Sequence, residues 1–214
     1  MRIGILGTGD VGRSLAVGLA AEGHPVKVGT REPSAAKAAA VAEKLGAGIG
    51  VVSFAEAAAF AEVAVLATLW SGTESALQLA GAAALAGKVV VDATNPLVFA
   101  PGAAPRLALG HDDSGGEQVQ RWLPGARVVK GFNTVGHASM VHPSFAGGPP
   151  DMFICGDDPD AKRTVTELLR QLGWPAVDVG GIEGARLLEP MCILWVAYGV
   201  RTGTWTHAFK LLRK

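Results

Sequence analysis

The chain has 214 residues, 49% of them hydrophobic and 18% charged, with 19 basic residues balancing 19 acidic ones. That length suits one domain of generous size with a sizeable core. Zero net charge supplies no basic surplus for a nucleic-acid backbone, and the apolar fraction excludes a disordered chain.

Short apolar runs alternate with longer Ala-rich helical patterns along the chain. Arg2 to Leu6 reads as a strand, and Val11 to Ala21 as a helix ended by Gly23. Pro25 to Gly29 is a second strand, followed by a helix from Ser34, its N-cap candidate, to Leu45. Gly50 to Val52 is a short strand and Phe54 to Ala61 a helix. Val63 to Thr68 and Val89 to Ala93 read as buried strands flanking a helix from Thr73 to Ala84. Asn95 to Asp113 holds three prolines and reads as a long loop, a length that in compact domains tends to carry function. Ser114 and Glu117 have capping-box spacing and open a helix through Trp122. Ala126 to Phe132 is a strand and Gly136 to Pro150 an irregular loop. Met152 to Cys155 is a strand. Asp158 caps a helix with Pro159 at its first position, running to Leu172. Pro175 to Val179 is the last strand. Ile182 to about Val200 is a long apolar helix, in which Pro190 predicts a kink or restart.

This alternation predicts parallel βαβ units and a doubly wound, mostly parallel α/β sheet. The division expected is a dinucleotide-binding domain over residues 1–181 with a C-terminal helical extension over 182–214. The apolar stretches carry charges at short intervals, at Glu56 and Glu62, Lys88 and Asp92, Arg186 and Glu189. None reaches the ~20 residues that span a bilayer. The opening MRIGILG lacks the basic and apolar regions of a signal peptide, so a cytoplasmic enzyme is expected. Cys155 and Cys192 suit neither a disulfide framework nor a metal site, and the five histidines have no ligand spacing.

The strongest motif is Gly7-Thr8-Gly9-Asp10-Val11-Gly12. It follows an apolar strand and opens a helix, the context that makes G-x-G-x-x-G a Rossmann fingerprint. Gly7 allows a tight turn, Gly9 lets the backbone approach a pyrophosphate, and Gly12 lets the helix pack close. The helix N-terminus then favours the phosphate charge. Asp10 is an awkward neighbour for a phosphate and is expected to cap the helix with its carboxylate turned aside. The second strand ends Thr30-Arg31, where an NAD site usually carries an acid. Arg31 suits a 2′-phosphate, with Ser34 and Lys37 able to assist and Glu32 expected to point away. This favours NADP over NAD; the alternative is Arg31 as a solvated surface charge.

Ligands in such sheets lie outside the carboxyl ends of the strands. Thr68, Leu69 and Trp70, Asn95 and Pro96, and Asn133 and Thr134 are the residues expected there. Each has a plain structural alternative, since Asn-Pro is a turn signal and Trp70 fits a core. His137 lies just beyond Asn133 and Thr134. Arg186 and Glu189, at i and i+3, are expected to pair with each other. No catalytic acid–base set is evident. Hydride transfer between two cofactors needs none, because proximity and the cofactors supply the chemistry.

The ordered segments GTGDVGRSLAVGLAAEGHPVKVGTRE, VAVLAT, VVVDATNPL, LPGARVVKGFNTV, MFICGDDPDAKRTVTELLRQLG and ARLLE resemble the NADP-dependent coenzyme F420 reductases over nearly the whole chain. They are also similar to the oxidoreductase domain of the STEAP metalloreductases. The resemblance implies hydride transfer between NADPH and coenzyme F420 or a flavin (FMN or FAD). It matches Thr8, Gly9, Asp10 and Val11 to the pyrophosphate loop, Thr30 and Arg31 to the 2′-phosphate pair, and Leu69 and Asn95 to cofactor-walling positions. It also points to the Met191 to Tyr198 region as contributing to the second cofactor's pocket and to dimer contacts. The archaeal reductases carry an extra glycine before the loop and a histidine where this chain has Asn133. The alternatives are an NADPH-dependent reductase of a small imine or carbonyl and a non-catalytic NADP-binding protein. The apolar last helix makes a homodimer the expected assembly.

Overall fold

The computed structural model describes residues 1–34, 36–46, 48–100 and 104–214, without the side chains of Ala36 and Lys37. Its centre is a six-stranded parallel sheet. The strands are β1 (Ile3–Leu6), β2 (Val26–Thr30), β3 (Gly50–Ser53), β4 (Val63–Leu66), β5 (Val89–Asp92) and, after two short strands described below, β8 (Arg127–Lys130). Their order is β3-β2-β1-β4-β5-β8. The chain order reverses between β1 and β4, which opens a crevice at their carboxyl ends.

Alternation along each strand builds the two cores. Ile3, Ile5, Val26, Val28, Val63, Val65, Val89, Val91 and Val129 face one side. There they meet α1 (Asp10–Ala21) through Leu15 and Leu19, and α7 (Pro159–Gln171) through Val165 and Leu169. Leu6, Ala64, Leu66, Val90 and Val128 face the other side. There they meet α3 (Phe54–Phe60), α4 (Trp70–Ala80), the single turn α5 (Ala82–Leu85) and α6 (Gly115–Trp122). α2 (Ala36–Leu45) covers β3 on the first side through Val41 and Leu45.

Several details depart from the pattern read in the sequence. The helix expected from Thr73 to Ala84 starts at Trp70 and breaks at Gly81, whose φ of 83° ends α4 before α5 begins. The loop after β5 contains a two-residue antiparallel pair, β6 (Leu97–Val98) with β7 (Arg106–Leu107). β9 (Met152–Ile154) and β10 (Ala176–Asp178) form their own parallel pair. That pair joins the main sheet through an antiparallel bridge between Lys130 and Cys155. The last helix, α8 (Ala185–Thr202), runs unbroken through Pro190 after a 3-10 turn at Ile182–Gly184. It buries Leu188, Cys192 and Trp195 and leaves Leu187, Leu194 and Val200 exposed. Beyond Gly203 the tail has no regular structure and lies along residues 149–151, with Leu211 N donating to Asp151 Oδ2 at 2.7 Å. Among the described residues no helix is long and apolar enough to cross a membrane.

Candidate cofactor cleft

β1 delivers the chain to Gly7, which turns at φ 137°. A Cβ at Gly7 would collide with the Ala67 carbonyl, and one at Gly12 with the Gly7 carbonyl. Both glycines therefore serve the packing of β1, β4 and α1 against one another. Gly9 is different. It is extended at φ −70°, ψ −179°, a conformation open to any residue, and among the described residues no atom beyond its two chain neighbours lies within 4 Å of where its Cβ would stand. Neither backbone nor packing asks for glycine there; the room lies on the solvent side of the loop. Gly9 is also the N-cap of α1, with no side chain capping the helix. The amides of its first turn have no intrahelical partner and carry the positive end of the dipole.

A cleft of about 830 Å³ lies over this loop. Gly7, Thr8, Gly9, Asp10 and Val11 form its floor, Thr30 and Arg31 one end, and Thr68 and Leu69 the opposite wall. Leu69 is 76% exposed, an apolar side chain with no protein neighbour to cover it. Thr68 is held by its hydroxyl, 2.9 Å from that of Thr73, which in turn donates to the Leu69 carbonyl at 3.1 Å. The Arg31 guanidinium reaches towards the first turn of α4, with Nη2 4.0 Å from where a Cβ on Gly72 would stand. Among the described residues Arg31 has no hydrogen bond or ion pair, so its donors face solvent.

Other sequence-selected residues lie elsewhere. Gly12 sits behind the loop, and Ser34 is exposed outside the cleft lining. The side chain of Lys37 lies outside the described residues. Trp70 turns away and stacks on Trp122, ring centroids 5.5 Å apart. These two indoles border a separate shallow depression that meets the cleft at Ser71. Asn95, Pro96, Asn133 and Thr134 do not line the cleft. Asn133 and Thr134 are each 3% exposed. The reason is an amide exchange: Asn95 Nδ2 donates to the Asn133 carbonyl at 2.9 Å, and Asn133 Nδ2 donates to Asn95 Oδ1 at 3.0 Å and to the Leu188 carbonyl at 2.9 Å. These amides tie the ends of β5 and β8 to α8.

Glu32 is among the residues that line the cleft, beside Arg31. Two expectations are corrected. Asp10 does not cap α1 but pairs with Arg13. Arg186 and Glu189 do not pair with each other. Arg186 Nε donates to Glu117 Oε2 at 2.8 Å, and that contact holds the Glu117 carboxyl below its ordinary range, with burial opposing it. Ser114 does cap α6 by accepting from Glu117 N, but its own amide donates to Asp113 rather than to Glu117, so the box is incomplete.

Glu189 instead enters a buried cluster that sequence reading missed. Its oxygens accept from the amides of Gly115 and Gly116, both at 2.9 Å. Lys130 Nζ lies 2.9 Å from Glu189 Oε1 and 2.7 Å from Asp92 Oδ2, and donates to the Thr94 carbonyl at 2.8 Å. All three charged side chains are at most 1% exposed. Burial works against the Lys130 charge, but the two carboxylates outweigh it and raise its pKa above the ordinary lysine value. The missed signal was register: Asp92 pairs with Lys130 across β5 and β8, placing opposite charges at the ends of two adjacent apolar strands. Sequence reading also missed Arg13 and Phe54, which line the cleft together with His137, the one histidine singled out by its place just beyond Asn133 and Thr134. His137 is exposed on the cleft's rim, with Nδ1 3.5 Å from Ser14 Oγ. Burial pushes the Cys155 thiol up to about 12 and that of Cys192 to about 11, so neither is a nucleophile at neutral pH.

The cleft thus lies over a glycine loop at the switch point of a parallel sheet. A family model described as NADP oxidoreductase, coenzyme F420-dependent, matches residues 2–96. The F420-dependent NADP reductase of Methanothermobacter marburgensis is 34% identical over 221 residues, spanning 94% of this chain and 93% of its own. The chain belongs to the F420-dependent NADP reductase family. It is thereby one of the NADP-dependent oxidoreductases. A crystal structure from Arthrobacter sp. FB24, put forward as an F420-dependent NADP reductase, superposes with a TM-score of 0.93 at 41% identity over the full length of both chains. The rat metalloreductase STEAP3 is 34% identical over 193 residues, 88% of this chain, but the match covers only 36% of that protein's length.

Proposed function

We propose that the chain transfers hydride between NADP(H), held over the Gly7–Gly12 loop, and a deazaflavin of the coenzyme F420 type. The observation that carries the nucleotide half is Gly9, whose missing side chain faces open space at an uncapped helix end. The dimensions fit as well, since an 830 Å³ cleft is within the range of small-molecule sites. Thr30 and Arg31 are available for the 2′-phosphate. The deazaflavin half rests on family membership and on the names of its relatives. The chain's own task is to hold two planar rings face to face at roughly 3–3.5 Å, with water excluded.

The test is NADPH oxidation with F420 as acceptor, FMN as the competing acceptor and NADH as the competing donor. Turnover with F420 and NADPH alone is the expected result. Turnover with FMN but not F420 contradicts the acceptor. Tight NADPH binding without oxidation by either acceptor contradicts the function.

Arg31 makes a separate prediction about nucleotide choice. Arg31→Met should weaken NADPH by about tenfold to a hundredfold, the loss of one charge-assisted contact of roughly 1.5–3 kcal/mol. NADH binding should stay unchanged. Equal losses for the two nucleotides would remove Arg31 from the 2′-phosphate site.

A further inference from the structure

The loop carries a residue that suits a phosphate badly. Asp10 opens α1, lines the cleft and keeps its side chain 61% exposed. An acid in the first turn favours the helix dipole but repels an anion bound at the same helix end. The backbone adds a second negative element, the carbonyl of Thr8.

Arg13 engages both. Its guanidinium pairs with Asp10 through Nη2, and Nη1 donates to the Thr8 carbonyl at 2.9 Å. The side chain is 28% exposed and lines the cleft beside Thr8 and Asp10. A planar fork can hold two acceptors in fixed geometry, whereas a lysine ammonium on its flexible stem holds them less firmly. One cation thus covers the acceptor groups on this side of the loop and leaves its amides for a ligand.

We propose that Arg13 is the positioning residue of the pyrophosphate loop: it neutralises Asp10 and fixes the Thr8 carbonyl, so that the loop presents donors to the nucleotide's pyrophosphate. This deepens the reading of the cleft as an NADP(H) site and rests on it. The pyrophosphate is common to NADPH and NADH, so Arg13 should affect both, unlike Arg31.

The experiment titrates NADPH and NADH into the wild type, Arg13→Met, Arg13→Lys, Asp10→Asn and the Asp10→Asn/Arg13→Met double variant, with a thermal melt of each. Arg13→Met should weaken both nucleotides by one common factor, about tenfold to a hundredfold. Arg13→Lys restores the charge without the fork and should fall between. Asp10→Asn should recover most of the affinity lost by Arg13→Met, because the repulsion leaves with the charge. A merely structural role would lower the melting temperature without this recovery. Wild-type affinity in Arg13→Met, unequal losses for the two nucleotides, or no recovery in the double variant overturns the proposal alone. A wild type that binds neither nucleotide overturns the reading of the cleft, and the proposal with it.

Discussion

Replacing Lys130 by methionine should cost about 3–5 kcal/mol of folding stability. Methionine fills much of the lysine's volume, so the loss is electrostatic. It leaves Asp92 and Glu189 as buried carboxylates without their cation. Glu189 keeps the amides of Gly115 and Gly116, and Asp92 Oδ1 keeps the amide and hydroxyl of Thr94. Those contacts soften the loss but do not supply a positive charge. The midpoint of urea unfolding reads the effect directly. Arg163→Ala is the matched control: its pair with Asp160 is about as exposed as a surface pair can be, at 73% and 67%, and its midpoint should hardly move. Equal midpoints for the two variants would show that the buried cluster does not brace the sheet.

Gly9→Val should do the reverse, sparing the fold and abolishing nucleotide binding. Valine is allowed at φ −70°, ψ −179°, and its Cβ would stand in open space among the described residues. Its stability cost is that of a poorer N-cap, no more than about 1 kcal/mol. The branched side chain would fill the space through which a pyrophosphate approaches the backbone, so NADPH affinity should fall at least about a hundredfold, roughly 2.7 kcal/mol. Gly12→Ala should show the opposite balance, because its Cβ would strike the Gly7 carbonyl and overpacking costs typically 1–3 kcal/mol. Melting curves beside NADPH titrations of the two variants separate packing from binding. A Gly9→Val protein with wild-type affinity would remove the loop from the site.

The fold was legible where local pattern and burial agree. Fully buried strands such as Val63–Leu66 and Val89–Asp92 lie inside the sheet, and Pro159 and Gly173 bracket α7 as their backbone limits require. The pair β6 and β7 escaped because two residues per strand are too few for alternation to register. Trp70 joined α4 rather than preceding it because its ring finds Trp122 on a helix more than forty residues away, a contact no local window contains. The cleft floor and the Thr30–Arg31 end were visible because one loop and one strand end generate them. Charge partners were harder to read. Arg186 and Glu189 have the spacing of a helical pair, yet the buried Glu189 side chain turns to Lys130 and the amides of α6, while Arg186 reaches Glu117. Asp10 and Arg13 have the same spacing and do pair. Which outcome occurs depends on what packs against the helix, which spacing does not encode. Asn133 offered an amide to the cleft by position, but the approach of α8 supplied the Leu188 carbonyl and turned that amide inward.

Direct transfer between the two cofactors is the centre of this account, and isotope tracing tests it most directly. NADPH carrying deuterium at C4, one epimer at a time, is mixed with the protein and F420 in ordinary water, and the reduced deazaflavin is analysed by mass spectrometry. The account predicts that one epimer delivers its deuterium to the acceptor and the other delivers none. Reduced acceptor carrying only solvent hydrogen from both epimers would contradict it.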